Sequence, residues 1–260
     1  ILLDMEIDAP PEVAPVAKAE KSASGPNGGK SVRVGAAGGF ETDRVDASKD
    51  IINRGEIDYA IFDCQSEFTI IDCYHRKMAG GVPYDSMLEL RLRELLPDCF
   101  EKGVKFIANA GGIGLEEAAE LVVKIGAGKG LKGLKVAYAV GGDVLDTVRH
   151  SDAVVVETGE SVSSIGNELL GAYAYGGARE IVEGLRMGAD VVLTSRAGDS
   201  AQYLAPLMHE FDWAWNDWER IGKGLGVGHL LECGGQLSGG FFADPGFKEV
   251  PDIDQIGCAF

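Results

Sequence analysis

The amino-acid sequence predicts an α/β fold with a mostly parallel sheet flanked by helices, layered as in Rossmann-like domains. Short apolar runs alternate along the chain with amphipathic stretches of about 10–15 residues, which is the pattern of βαβ units. Many of the 37 glycines stand at the ends of the apolar runs, where tight turns are needed. With 260 residues, the chain is long enough to bury a sizeable core.

The alternation begins after a different kind of segment. Residues 8–31 mix proline with alanine, lysine, serine and glycine and show no apolar periodicity, as in a linker. We therefore expect residues 1–31 to form a Pro/Ala/Lys-rich arm or linker and residues 32–260 to form the α/β domain.

Apolar runs predict five strands, at residues 32–36, 59–62, 105–109, 134–140 and 189–194. Amphipathic stretches predict helices at residues 42–54, 84–96, 115–125, 178–186 and 200–210, and a short helix from 217 to 221. Thr42 is the expected N-cap of the first helix and Gly55 its C-cap, and Pro97 is expected to end the second. Residues 151–162 are read as a loop or insertion, although residues 153–156 also suit a strand.

Composition limits the classes of partner. The net charge of −17 disfavours nucleic acid and anionic membrane surfaces. No apolar run approaches the roughly 20 residues of a membrane span. The five cysteines are odd in number, widely spaced and without a CxxC pair, so we expect reduced thiols, no metal site and a cytoplasmic protein. Acidic α/β proteins of this size are often homo-oligomers, which is the expectation here.

Parallel strands place their carboxyl ends at one edge of the sheet, and ligands bind there. The first strand runs into a turn of small residues before a helix, which favours an anion such as phosphate. Its candidate ligand-binding residues are Gly35, Gly38, Gly39, Phe40 and Asp43. The turn lacks the P-loop lysine and a complete dinucleotide fingerprint, and a plain tight turn explains it equally well.

Polar groups follow the second and fifth strands. Asp63 and Glu67 are candidate acid–base groups or ligand contacts, whereas Cys64 is a nucleophile only if its pKa is lowered and otherwise a packing residue. Arg196 suits a carboxylate or phosphate, or else forms an ion pair with Asp199.

The third and fourth strands also end in glycine turns. Asn109 carries an amide that can bind a ligand, and Gly111 and Gly112 follow it. Asp143 suits a hydroxyl or a metal, but a helix cap is its commonest role.

The last candidate segment covers residues 227–236. His229 is the best candidate for proton transfer near neutral pH. Glu232 is a further candidate catalytic residue, and Cys233 and Gln236 are candidate ligand-binding residues. His229, Glu232 and Cys233 have side chains that can bind a metal, but their spacing matches no reliable metal motif.

The sequence resembles the acyclic terpene utilisation AtuA family. The matching stretches are VGAAGGFETDR (34–44), DYAIFDCQSE (58–67), FIANAGG (106–112), GADVVLTSRAGDSAQYLA (188–205) and GHLLECGGQLSGGFFADPG (228–246). The resemblance implies a role in degrading branched acyclic terpenoids through acyl-CoA intermediates, beside a biotin-dependent carboxylase. It assigns no catalytic residue, it leaves out residues 1–31, and it implies a further region beyond Phe260.

Together these observations lead us to expect a catabolic enzyme acting on a branched-chain acyl-CoA or related carboxylate. Lyase or hydratase chemistry is expected, with a CoA thioester as substrate and no cofactor assigned. The alternatives are a hydrolase with a cysteine nucleophile, an accessory subunit of an acyl-CoA carboxylase, and a nucleotide-dependent enzyme, which the missing P-loop disfavours.

Overall fold

The computed structural model describes residues 2–4, 29–239, 243–244 and 246–251, and its centre is one six-stranded sheet. The strands are β1 (Leu2–Asp4), β2 (Val34–Gly38), β3 (Tyr59–Phe62), β4 (Lys105–Ala108), β5 (Lys135–Tyr138) and β6 (Val191–Leu193). Their order is β1-β5-β6-β4-β3-β2. Strands β2 to β6 are parallel and β1 pairs antiparallel with β5, so the predicted fold class is confirmed.

Eight α-helices lie in the described part of the chain. They are α1 (Val45–Arg54), α2 (Glu67–Met78), α3 (Leu88–Lys102), α4 (Leu115–Gly128), α5 (Leu145–Arg149), α6 (Ala178–Arg186), α7 (Ala201–Phe211) and α8 (Trp218–Leu231). Helices α1, α3 and α4 cover one face of the sheet, where they bury side chains such as Ile52, Leu92 and Val122. Helices α6, α7 and α8 cover the other face, with Ile181, Leu204 and Leu231 among their buried side chains.

The order in which the strands follow one another along the sheet changes between β4 and β6. Strands β4 and β6 are neighbours, but α4 follows β4 on one face and α7 follows β6 on the other. The chain therefore leaves these two strands in opposite directions and opens a crevice at their carboxyl ends. The segments after β3, β4 and β6 surround this crevice.

The predicted helix end at Pro97 is wrong, because α3 continues through the proline to Lys102. Proline removes one backbone hydrogen bond from a helix. Here the apolar stripe continues past it, and Cys99 and Phe100 are buried in the core. The helix ends instead at Gly103, whose φ of 66° suits glycine.

Helices α1 and α2 also differ from the sequence prediction. Helix α1 begins at Val45. Before it, residues 40–43 form a turn in which the backbone N–H of Asp43 donates to Phe40 O, so Thr42 is not the N-cap of the helix. Helix α2 was not predicted because its apolar residues form no buried stripe, and Cys73 is its only buried residue. Its capping box between Ser66 and Thr69 was the available signal.

Helix α8 is much longer than the predicted helix at 217–221. Its four glycines weaken the helical pattern, but two of them let α8 pack closely on α7. A Cβ at Gly224 would lie 2.7 Å from Leu204 Cδ1, and one at Gly228 would lie 2.9 Å from Ser200 O. His229, which belongs to the candidate segment at residues 227–236, therefore lies on a helix.

A long connecting segment, residues 139–177, joins β5 to α6. Residues 153–156 make no strand, only an isolated bridge between Val154 and Ser161, as the loop interpretation predicted.

The predicted arm at 1–31 lies outside the described residues except for 2–4 and 29–31. In the described part of the chain, no helix is both long and apolar enough to cross a membrane.

Candidate active site

A buried asparagine builds the floor of the crevice. Asn109 Oδ1 accepts hydrogen bonds from the backbone N–H groups of Cys64 (2.7 Å) and Gln65 (2.9 Å). Its Nδ2 donates to Asp63 Oδ1. Asn109 is completely buried directly after β4, so it fixes both the path of the chain after β3 and the position of the Asp63 carboxyl group.

Arg196 enters the same crevice from the end of β6. Its Nη1 donates to Gln65 O, and its Nη2 donates to Glu67 Oε1 and Asp199 Oδ1, both at 3.1 Å. The ring of Tyr175 lies 4.4 Å from the centre of the guanidinium group. Only 6% of the arginine side chain is exposed, so its orientation is fixed by protein contacts. Both predicted roles of Arg196 therefore stay open, because it pairs with Asp199 and also lines a cavity.

The cavity at this point encloses about 200 Å³. It gathers residues from the ends of β2, β3, β6 and α8, which are Gly39, Phe40, Asp63, Cys64, Gln65, Ser66, Glu67, Thr69, Arg196, Asp199, Glu232 and Cys233. Segments from four separate parts of the chain thus meet around one hollow. We call it the carboxyl cavity, because four of its side chains are carboxyl groups.

The carboxyl groups differ in protonation. Burial raises the pKa of Asp63 to about 8, with further increases from the charges of Asp199 and Glu232. The charge of Arg196 and the hydrogen bond from Asn109 oppose this rise. The pKa of Glu67 is lowered, first by the hydrogen bond from the Tyr175 hydroxyl. At neutral pH the cavity therefore holds a protonated carboxyl next to an ionised one, an arrangement suited to acid–base chemistry.

Both cysteines in the cavity are protonated at neutral pH. Burial raises the pKa of Cys64 well above its ordinary value. Burial and the neighbouring Glu232 raise the pKa of Cys233 to about 12, and the Cys233 thiol donates to Glu232 Oε1 at 3.1 Å. A thiolate is the reactive form of cysteine, so this environment disfavours either residue as a nucleophile.

The first glycine turn is closed by its own carboxylate. The backbone N–H groups of Gly39 and Phe40 donate to Asp43 Oδ2 at 2.7 and 3.1 Å, so they are not free to hold an anion. Gly35 lies inside β2, where a Cβ would come within 3.0 Å of Ile51 and Ile57. These glycines serve close packing, and Gly38 also lies beside Phe62.

Other predicted site residues lie outside the carboxyl cavity. Gly111 packs against Leu115 and Gly112 against Pro83, where a Cβ would be too close. Asp143 lies before α5, and its Oδ1 accepts a hydrogen bond from the backbone N–H of Leu145. Gln236 lies in a 3-10 turn after α8.

His229 is 71% exposed and does not line the cavity. Its Nδ1 lies 3.8 Å from Glu232 Oε1. His229 therefore reaches the cavity only through Glu232, which does line it.

Two residues near the site were missed by sequence reasoning. Gln65 Oε1 is buried in the cavity wall and has no hydrogen-bond partner in the described part of the chain. Its position between Asp63 and Glu67 was the available signal. The Tyr203 hydroxyl also lacks a partner among the described residues, and burial together with Asp63 and Glu232 raises its pKa. Nothing in the sequence marks Tyr203, because it lies within an ordinary amphipathic helix.

The described residues contain no group of three or more histidine, cysteine or acidic side chains arranged to hold a metal ion. Comparison with known proteins gave one result: a family model described as acyclic terpene utilisation family protein AtuA matches residues 32–260. No match was found among curated proteins or among solved structures.

Proposed function

Because the chain belongs to the acyclic terpene utilisation family AtuA, we propose that it is a catabolic enzyme acting on a branched, terpenoid-derived acyl-CoA or carboxylate. The proposed reaction is proton transfer next to a carbonyl group, with addition or loss of water. One observation carries this proposal: Asp63 is a buried carboxyl group with its pKa raised to about 8, inside a cavity that also holds ionised groups.

Asp63 is the proposed general acid. Elimination of water from a 3-hydroxyacyl substrate needs one group to remove the α-proton and another to protonate the leaving hydroxyl. Asp63 carries the proton for the second task. Glu232 is the proposed base, since it lines the same cavity and its side chain is 12% exposed. His229, 3.8 Å from Glu232, would then pass the abstracted proton to solvent.

The charges of the cavity restrict which part of the substrate enters. Arg196 is the only cationic side chain among its described lining residues, against the carboxylates of Glu67, Asp199 and Glu232, while Asp63 is protonated. The phosphates of a CoA thioester would be repelled by these carboxylates. The acyl portion is therefore the part proposed to enter, with its carbonyl oxygen near Arg196, whose charge would stabilise a developing enolate.

Isotope exchange tests the proposal without requiring the natural substrate. Branched saturated, 2-unsaturated and 3-hydroxy acyl-CoA thioesters are incubated with the protein in D₂O, and mass spectrometry follows deuterium at the α-carbon and the gain or loss of water. The proposal expects enzyme-dependent exchange with at least one of these thioesters. No exchange and no interconversion with any of them would remove the enzymatic proposal and favour an accessory role beside a carboxylase.

A further inference from the structure

Helix α2 exposes three large apolar side chains on one face, and we propose that this face binds a second copy of the chain. A surface helix ordinarily buries its apolar stripe and exposes its polar side chains. Helix α2 departs from this rule, because Cys73 is its only buried residue. The proposal goes beyond the proposed reaction and does not depend on it.

The exposed apolar side chains follow one line along α2. Phe68, Ile71 and Met78 are 80%, 47% and 72% exposed, and exposed His75 stands between the last two. The successive spacings of three, four and three residues are those of the a and d positions of a coiled coil. We call these four residues the α2 seam. Because burial of such a seam drives the association of helices in water, the seam is suited to receive another helix.

The charges at the two ends of α2 favour a second copy in antiparallel orientation. The first turn carries acidic Glu67, and the basic residues of the last turn include Lys77. Glu67 contacts Arg196, but its side chain stays largely exposed. Antiparallel helices place the acidic turn of each copy beside the basic turn of the other, and their dipoles also attract. A chain with a net charge of −17 repels its own copies in general, so association needs a local match of this kind.

The α2 seam is self-complementary about a two-fold axis beside Cys73. This axis places Phe68 opposite the partner's Met78, and Ile71 opposite the partner's His75. The contact of a methionine sulfur with an aromatic ring is favourable. His75 is the single polar member of the seam, and one polar residue among apolar ones favours a single register.

The second copy also comes close to the carboxyl cavity. Ser66, Glu67 and Thr69, at the start of α2, line that cavity. In the antiparallel pair the last turn of the partner's α2 lies beside these residues. The dimer therefore adds a rim to the cavity that one chain does not supply.

The size of the seam sets the expected affinity. A helix of 12 residues is about 18 Å long. Its one face is smaller than the roughly 800 Å² that each partner buries in a stable interface. We therefore expect a weak dimer, with a Kd of roughly 1–100 µM.

Sedimentation velocity of the full chain, at concentrations on both sides of this range, tests the dimer. Ile71→Glu places a charge in the α2 seam and should raise the Kd about tenfold or more. Leu230→Glu makes the same change at an exposed position of α8 and should leave the Kd unchanged. Because α2 buries only Cys73, the fold of Ile71→Glu should be retained, which circular dichroism verifies. Met78→Glu repeats the test at the end of the seam.

A charge reversal tests the orientation. Lys77→Glu makes both ends of α2 acidic and should raise the Kd by about two- to fivefold, the scale of an exposed ion pair. Lys124→Glu, on the exposed surface of α4, changes the net charge equally and should have no such effect.

The outcomes decide between the second copy and its absence. A dimer that Ile71→Glu and Met78→Glu weaken, and that Leu230→Glu leaves intact, supports the proposal whether or not any turnover is found. A chain that stays monomeric throughout, or a dimer that the two seam variants leave unchanged, would overturn it. Equal effects of Lys77→Glu and Lys124→Glu would overturn the antiparallel arrangement.

Discussion

Asp63 Oδ1 lies 4.0 Å from Arg196 Nη1, yet the pKa of this carboxyl is raised to about 8 and not lowered. Burial and the charges of Asp199 and Glu232 outweigh the attraction of the guanidinium group. The carboxyl groups of Glu67 and Asp199, each 3.1 Å from Arg196, offset part of the effect of the guanidinium charge on Asp63. The cavity thus holds a proton where an exposed aspartate would be ionised.

Replacing Asp63 by asparagine should lower the rate of gain or loss of water by about 10²–10⁴-fold, the usual contribution of a general acid or base. Asparagine keeps the shape and can still accept from Asn109, so the fold should be retained. Asp50→Asn, on the exposed surface of α1, is the matched control and should add or lose water at the normal rate. Similar rates in the two variants would exclude Asp63 from the chemistry.

The same substitution should change how stability depends on pH. An unfolded aspartate loses its proton near pH 4, whereas folded Asp63 keeps it up to about pH 8, so the folded state binds more protons between these values. The free energy of unfolding should therefore fall with rising pH across this window because of Asp63. Relative to the unchanged chain, Asp63→Asn should gain roughly 1–5 kcal/mol between pH 4 and pH 8 and nothing further above it. Urea unfolding at several pH values measures this, and a pH-independent difference would contradict it.

Arg196→Lys should destabilise the chain by about 1–3 kcal/mol, although it keeps the charge. A lysine cannot reproduce the fork that joins Gln65 O, Glu67 and Asp199. Denaturant unfolding measures the loss. Arg93→Lys, on the exposed surface of α3, should cost little, and equal costs at both positions would show that the buried fork adds no stability.

The cavity thiols should react slowly. At pH 7, alkylation of Cys64 and Cys233 by iodoacetamide in the folded chain should be at least about tenfold slower than in urea, because the pKa of each thiol is raised. Peptide mass spectrometry gives the rate at each position. Fast labelling of Cys233 accompanied by loss of turnover would support the alternative function, a hydrolase with a cysteine nucleophile.

Two glycines of α8 should respond oppositely to alanine. Gly228→Ala should destabilise the fold by about 1–3 kcal/mol, because its Cβ would lie 2.9 Å from Ser200 O. Gly226 faces open space on the same helix, so Gly226→Ala should stabilise it by up to about 1 kcal/mol. Thermal unfolding measures the stability of the two variants. An increase in stability on Gly228→Ala would contradict the close packing of α7 and α8.

The alternation of apolar and amphipathic segments was enough to predict the five parallel strands and most helices, but β1 was missed because residues 1–31 were read as an arm or linker. It failed where burial or capping decides the structure. Helix α3 continues past Pro97 because Phe100 is buried, and α2, which buries only Cys73, begins behind its Ser66 cap. The site was partly predictable, because the ends of parallel strands share one edge, which brings Asp63 and Arg196 together. The unpaired Oε1 of Gln65 was not predictable, because a sequence does not show which buried atoms of the described residues lack a partner.

The proposed chemistry depends on a proton that Asp63 holds at neutral pH. Carboxyl-carbon NMR of ¹³C-aspartate-labelled protein, with Asp63→Asn to identify the resonance, measures this directly. We predict that the Asp63 signal titrates with a midpoint near pH 8. A midpoint near pH 4, the value of an ordinary aspartate, would contradict the account.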